Sequence, residues 1–423
     1  MKTIAARLYG KNDVRIEEFE LPEIKTDEIL ARVVTDSLCM STYKAIIQGE
    51  EHKRVPNSLF DNPIIIGHEF CGEIVEVGSK WKHKFSVGEK FVIQPALNCN
   101  GSLNAPGYSY EYIGGDSQYV IIPNEVMETD NLIKYHSDGY YTGSLSEPLS
   151  CIIGAFNASY HTKKGSYEHQ MGCKQGGKML ILAGAGPMGI GAIDYALNGL
   201  EVSPSLLVVT DIDKERLDKA RNTFDKKIDS KLVFTTSSSR EELLELSDED
   251  GYDDVFVFAP ISDLVELGGK LLSKDGCLNF FAGPTNRDFC AKLNFYDVHY
   301  SSTHIVGTSG GNREDMIRAV ELMNEGKLHP EAMVTHIGGL DSVIKATLNL
   351  PNIDGGKKLI YTGISLPLTK ISEFESLSKE NTENSDLFIN LHHICKNYGG
   401  MWNLEAERYL LSHAKRLGDL NEK

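Results

Sequence analysis

Apolar positions along the chain change rhythm in three places. Up to about residue 150 they come in short alternating runs, such as 28–34, 72–77 and 90–94, separated by Gly, Pro, Asn and Asp. Period-two alternation between turn formers predicts a compact β-rich domain. From 151 to 293, apolar runs at 179–183, 206–210, 232–235, 254–258 and 277–281 alternate with helix-period segments such as 214–223 and 264–272. Continuous apolar strands between amphipathic helices predict βαβ units around a buried parallel sheet. That rhythm stops at 294. The run 305–311, an amphipathic helix over 313–325 and the apolar run 356–361 are expected to return to the first domain, so that 294–365 completes it. Beyond lies a polar stretch, 371–386, with little to bury, which predicts a linker. Segments 387–395 and 404–414 have helix periodicity around Gly399 and Gly400, predicting a small helical C-terminal extension over 366–423.

One junction in the second region carries more than a fold. Gly184, Gly186 and Gly189, with Pro187 and Met188 between them, fit G-x-G-x-x-G between an apolar strand and a helix. The first glycine permits the turn, the second admits a pyrophosphate to the backbone, and the third lets helix and strand close. The helix N-terminus then offers free N–H groups to phosphate. The next strand, 206–210, ends at Asp211, where a carboxylate takes ribose hydroxyls and repels a 2′-phosphate. A dinucleotide is therefore expected, NAD(H) before NADP(H), with Arg216 nearby keeping the second open. The competing reading gives the glycines a packing role only.

A net charge of −17 argues against nucleic acid or anionic membrane as a partner. No apolar run is long enough to span a bilayer, and the N-terminus lacks an apolar core of the signal-peptide kind. Eight scattered cysteines suit free thiols in a reducing cytoplasm. The length predicts more than one domain.

Three stretches of the β-rich domain carry candidate chemistry, around Cys39 and Ser41, around His68 and Glu69, and at Glu147. Thiolate, imidazole and carboxylate are donors of a tetrahedral catalytic zinc that keeps one open position. Singly, each has an ordinary reading, as a small core residue or a turn. In this order, ahead of a dinucleotide motif, they make the chain resemble zinc-dependent members of the medium-chain dehydrogenase/reductase family over roughly residues 1 to 365.

The resemblance implies an α/β protein: a GroES-like catalytic domain (1–150 with 294–365) and a Rossmann doubly wound parallel sheet (151–293). It implies one catalytic zinc on Cys39 and His68. Glu69 and Glu147 would act as catalytic carboxylates that either ligate directly or stand behind the ligands, and Ser41 as proton relay. Cofactor contacts are implied at strand ends, at Phe258 and Gly283, and at the Gly310 turn. Two departures from the family pattern matter. Only Cys99 occupies the stretch where many members cluster cysteines around a structural zinc, so none is expected. Lys44 stands where many members carry a relay histidine.

Stretches around 37–41, 63–73, 147–158, 279–284 and 294–300 resemble a branch that interconverts ketose phosphates and polyol phosphates. Such a substrate needs local positive charge, for which Lys44, Lys53 and Arg54 are the candidates; solvated surface is their ordinary reading. A dehydrogenase of unphosphorylated polyols shares every candidate ligand, and a non-catalytic dinucleotide-binding protein is the alternative of another class. A homo-oligomer is expected, with a sugar phosphate as the small-molecule partner. The extension carries no site motif, so its removal is expected to leave the site intact.

Overall fold

The computed structural model describes residues 1–163, 165–224, 231–380 and 382–418. It divides into two units, one of residues 148–333 and one that joins residues 1–147 to the chain from Val334 onward.

Residues 148–333 form the expected doubly wound α/β unit. Six parallel strands lie in the order Lys231–Thr235, Leu206–Thr210, Lys178–Leu182, Tyr252–Val257, Leu272–Phe280 and His304–Gly307. The central strands are buried on both faces, which explains their unbroken apolar runs. One face packs under Ile181, Val209 and Phe256, with the Phe156 ring stacked on Phe256 at 4.3 Å. The other packs under Leu182, Val255 and Leu278.

The return to the first domain falls at Val334, not at 294 as the sequence suggests. His304–Gly307 is the sheet's edge strand, with Ile305 and Gly307 exposed and the other two residues partly buried, so it shows no continuous apolar run. The helix Arg313–Asn324 starts at a reciprocal Asn312–Asp315 capping box and buries Ala319 and Leu322 in the same core as Phe156. Both elements therefore belong to the parallel-sheet unit.

The other unit is β-rich. An eight-stranded sheet centres on Ile29–Ser37, which pairs with Phe70–Val77, Tyr119–Ile122 and Lys357–Tyr361. The strand Lys2–Gly10 lies in a separate three-stranded sheet.

The stretch 371–386 is not a linker. Ile371 and Phe374 are buried in a cluster with Tyr361, Leu366, Leu391 and Trp402. The polar surroundings of these two residues hid them from a composition argument. Helices Ser385–Asn397 and Leu404–His413 follow, turning at Gly399 and Gly400, and they bury Leu387, Phe388, Leu391 and Leu410 in the same cluster. The extension is thus part of the β-rich unit's core.

A Phe374→Ala variant is expected to lose about 3–5 kcal/mol, the usual cost of emptying a fully buried aromatic site. Urea unfolding of the purified variant measures this; an unchanged midpoint would restore the linker reading.

Candidate active site and metal centre

Cys39 ends the approach from Ile29–Ser37 and forms the N-cap of helix Met40–Gln48, which places Ser41 and Thr42 in its first turn. His68 and Glu69 follow Gly67, which sits at φ +89. That conformation, and the close approach of Gly107 (φ +78) to the Gly67 carbonyl, exclude a β-carbon at either position. The two glycines let the Tyr108 backbone lie directly against the His68 segment.

Donor atoms of Cys39, His68 and Glu69 lie within 4.8 Å of one another, and this is the one such group among the described residues. Burial, then the charges of Lys357, Arg54 and His52, hold His68 well below the ordinary imidazole range. Its neutral ring keeps a lone pair to give to a cation. Burial first, then the Glu69 charge, pushes the Cys39 thiol up to about 12. A bound cation reverses that preference and favours thiolate. A sulfur, a nitrogen and a carboxylate oxygen held this close fit a zinc ion. Glu147, 8% exposed, lies in the first turn of helix Ser146–Ala158 and acts electrostatically on Cys39, Tyr108 and Lys357. It stands outside the close group.

Several neighbours were not singled out from the sequence. The Lys357 ammonium donates to both Glu69 oxygens, at 2.7 and 2.5 Å, and the pair is sealed from solvent. The Tyr108 hydroxyl meets His68 Nε2 at 3.2 Å, and the Thr42 hydroxyl meets Nδ1 at 3.1 Å. The Ser41 side chain also hydrogen-bonds the Tyr108 oxygen. Asp36 accepts from the Glu69 N–H at 3.1 Å. Burial first, then the charge of the neighbouring Asp116, holds the Asp36 carboxyl well above its usual range. Burial pushes Asp116 up to about 7. The two carboxyls hydrogen-bond each other, and like charges buried side by side disfavour ionising both. The only sequence-level signals were Lys357 opening an apolar strand and Tyr108 lying in the stretch that lacks the clustered cysteines.

The three candidate cations differ in placement. Lys53 is exposed, while Lys44 and Arg54 are half-buried. The Arg54 guanidinium lies 5.4 Å from the centre of the Tyr108 ring, and its Nε is buried without a hydrogen-bond partner. His52 stacks on the same ring at 5.7 Å. Burial, then the charges of Arg54, Lys53 and Lys44, presses His52 down to about 4.

In the parallel-sheet unit the glycine turn has the expected form. Gly189 packs so tightly on Gly184 that a β-carbon would collide with its carbonyl, whereas the space over Gly186 is open. Gly186 caps helix Pro187–Asp194, with Pro187 in its first turn beside Met188. The Asp211 carboxylate accepts from the Ala185 N–H at 3.0 Å and the Asp213 N–H at 3.1 Å, which fixes it beside the turn. Arg216 pairs with Asp213 at 3.1 Å. Phe258 stacks on Phe281 at 4.5 Å at neighbouring strand ends, one residue from Ala282 and two from Gly283. Gly310 has φ +88 and open space at its α-carbon.

A doubly wound sheet with a glycine turn in one unit, and a Cys–His–Glu cluster in a second, β-rich unit, define a class, and the chain belongs to the zinc-dependent medium-chain dehydrogenase/reductase family. Residues 25–130 match the alcohol dehydrogenase GroES-like domain. The chain is 51% identical to L-sorbose 1-phosphate reductase of Klebsiella pneumoniae over 98% of either chain. It is 47% identical to mannitol-1-phosphate 5-dehydrogenase of Aliivibrio fischeri over 97% of either chain. The crystal structure of 2R,3R-butanediol dehydrogenase from Bacillus subtilis superposes with a TM-score of 0.70 at 22% identity, covering 85% of this chain and 99% of that one. Part of this chain therefore has no counterpart in the butanediol enzyme but is shared with the two sugar-phosphate relatives.

Two outcomes test the buried charges. Lys357→Met is expected to cost the metal-stripped protein about 3–5 kcal/mol, because it leaves the Glu69 carboxylate buried and unpaired. Adding Glu69→Gln should restore much of that loss in a double-mutant cycle read by urea unfolding; equal losses in the single and double variants would deny the coupling. The second outcome concerns pH. An Asp116 pKa raised from the unfolded value of about 3.9 to about 7 means the folded state binds the extra proton. Its contribution is full at low pH and is lost as pH rises toward 7. Relative to the native chain, Asp116→Asn should therefore gain in urea midpoint between pH 4 and 7, and a pH-independent difference would contradict the raised Asp116 carboxyl.

Proposed function

We propose that this protein transfers a hydride between NAD(H) and a ketose phosphate, with L-sorbose 1-phosphate and D-glucitol 6-phosphate as the pair that fits best. Arg54 supports the reading most: a guanidinium with an unpartnered buried Nε, packed on Tyr108, the ring whose hydroxyl meets the candidate metal ligand His68. In L-sorbose 1-phosphate the phosphate is on the carbon next to the ketone, so its partner must lie close to the reacting centre. In mannitol 1-phosphate oxidised at C5 it is several carbons away. Arg54 suits the first case, with Lys44 and Lys53 adding field. His52 is neutral and acts as a stacking partner.

Bound zinc supplies Lewis acidity at the ketone oxygen, and the nicotinamide supplies the hydride. Cys39, His68 and one of Glu69 and Glu147 would hold the ion. Glu69 sits in the close donor group, and its lysine partner tempers its charge; Glu147 stands ready as the exchanging carboxylate. The Ser41 hydroxyl carries the proton to or from the substrate oxygen, and the Tyr108 hydroxyl orients it. Asp211 takes the ribose hydroxyls, which favours NAD(H) over NADP(H). A single donor cluster among the described residues supports one zinc per chain.

The test is NADH oxidation over L-sorbose 1-phosphate, free L-sorbose and other ketose phosphates, with zinc quantified in the same preparation. Turnover on free and phosphorylated sugars alike would overturn the reading. A charge-assisted hydrogen bond to phosphate contributes about 1.5–3 kcal/mol, so Arg54→Ala should raise KM for the phosphorylated ketose about ten-fold or more. KM for the free sugar should hardly move. Phosphate bound beside His52 should also lift its imidazole pKa from about 4, as an anion favours the charged ring, and this is visible by NMR titration. Equal KM losses on both sugars would return Arg54 to a structural role.

A further inference from the structure

The C-terminal extension holds one carboxylate in its buried face. Glu407, on helix Leu404–His413, is 1% exposed. Its Oε2 accepts from the Tyr140 N–H at 2.7 Å; its Oε1 accepts from the Tyr141 N–H at 2.8 Å and the Tyr361 hydroxyl at 2.9 Å. Tyr140 and Tyr141 open helix Tyr140–Ser144, whose own N-cap, Gly139, provides no side-chain cap. A carboxylate supplied from the far end of the sequence takes that place. Helix starts leave N–H groups without partners, and a carboxylate satisfies them and complements the dipole.

That short helix leads straight to the candidate metal centre. Leu145 follows it, fully buried in the same cluster as Trp402, Ala406 and Leu410, and Glu147 is two residues further on. Gly143 of the helix lies against Cys71, two residues after Glu69. The Tyr361 hydroxyl, also bound by Trp402 Nε1 at 2.8 Å, closes the strand that begins at Lys357, the partner of Glu69. The extension therefore touches the supports of both carboxylates.

We propose that Glu407 is a positioning residue of the active site: by capping helix Tyr140–Ser144 it sets where Glu147 stands. The proposal rests on the reading of Glu147 as a carboxylate of the zinc centre. Three donors converge on a carboxylate with two acceptor oxygens, and an amide offers only one. Glu407→Gln keeps the volume and loses part of the cap.

The experiment compares Glu407→Gln, Glu147→Gln and Phe388→Leu in the full-length chain. Phe388 lies on helix Ser385–Asn397 of the same extension and stacks on Phe374 at 5.6 Å, so Phe388→Leu disturbs the extension's packing away from Glu407. Zinc affinity of metal-stripped protein is read by chelator competition, alongside kcat and NADH dissociation. Glu407→Gln should weaken zinc binding about ten-fold, as loss of groups that orient a metal site does, and lower kcat about ten-fold or more, with NADH dissociation unchanged. Phe388→Leu should lose thermal stability and keep both. Retention of zinc affinity and kcat by Glu407→Gln, or equal losses in Phe388→Leu, would overturn the proposal. If Glu147→Gln itself changes neither quantity, the reading of Glu147 falls; if it changes both while Glu407→Gln does not, only the positioning role falls. Should Glu407→Gln fail to fold, Glu407→Asp, which keeps the charge but shortens its reach, is held to the same criteria.

Discussion

Lys357 reaches the Glu69 carboxylate, in a place sealed from water, from a strand 288 residues further along the chain. An isolated carboxylate in that place would take up a proton, and a neutral acid is a poor partner for a cation. Much of the β-rich unit is arranged around that pair. The Glu69 backbone is held by Asp36, Asp36 hydrogen-bonds Asp116, and Lys357 sits on the strand that pairs with Ile29–Ser37, the approach to Cys39. The unit concentrates ionisable groups where water is absent, so each depends on a neighbour that only the folded chain supplies.

This dependence explains what could be read from the sequence. The form of the glycine turn and the place of Asp211 beside it were legible because their pattern is local: a strand, three glycines and an acid within a few dozen residues. Cys39, His68 and Glu69 stood out through short motifs, and the structure brings their donor atoms together. Lys357, Tyr108 and Glu407 were not legible. Each acts across the fold, and nothing beside a lysine in an apolar strand, or a glutamate on an amphipathic helix, says that its charge points inward.

The misread boundaries have the same origin. His304–Gly307 lies at a sheet edge and lacks the apolar run that marks central strands, so the parallel-sheet unit seemed to end early. Ile371 and Phe374 are two apolar residues in a polar stretch, yet both are buried. Period and composition describe an element's average environment; a single anchoring side chain escapes them. In the stretch where relatives of this fold often cluster cysteines, this chain instead delivers Tyr108 to the candidate metal ligand, with Arg54 and His52 stacked on it.

The discontinuity of the β-rich unit sets an order of assembly during synthesis. Residues 148–333 form one uninterrupted unit that can close while the ribosome is still at work. Of the earlier residues, Glu69 must wait for Lys357, and the Tyr140 and Tyr141 N–H groups for Glu407. Until helix Leu404–His413 emerges, the nascent β-rich segment holds Tyr361, Leu366 and Leu145 without the cover that Trp402 and Leu410 later provide. A chain released before that helix exposes apolar surface of the kind that chaperones and proteases bind.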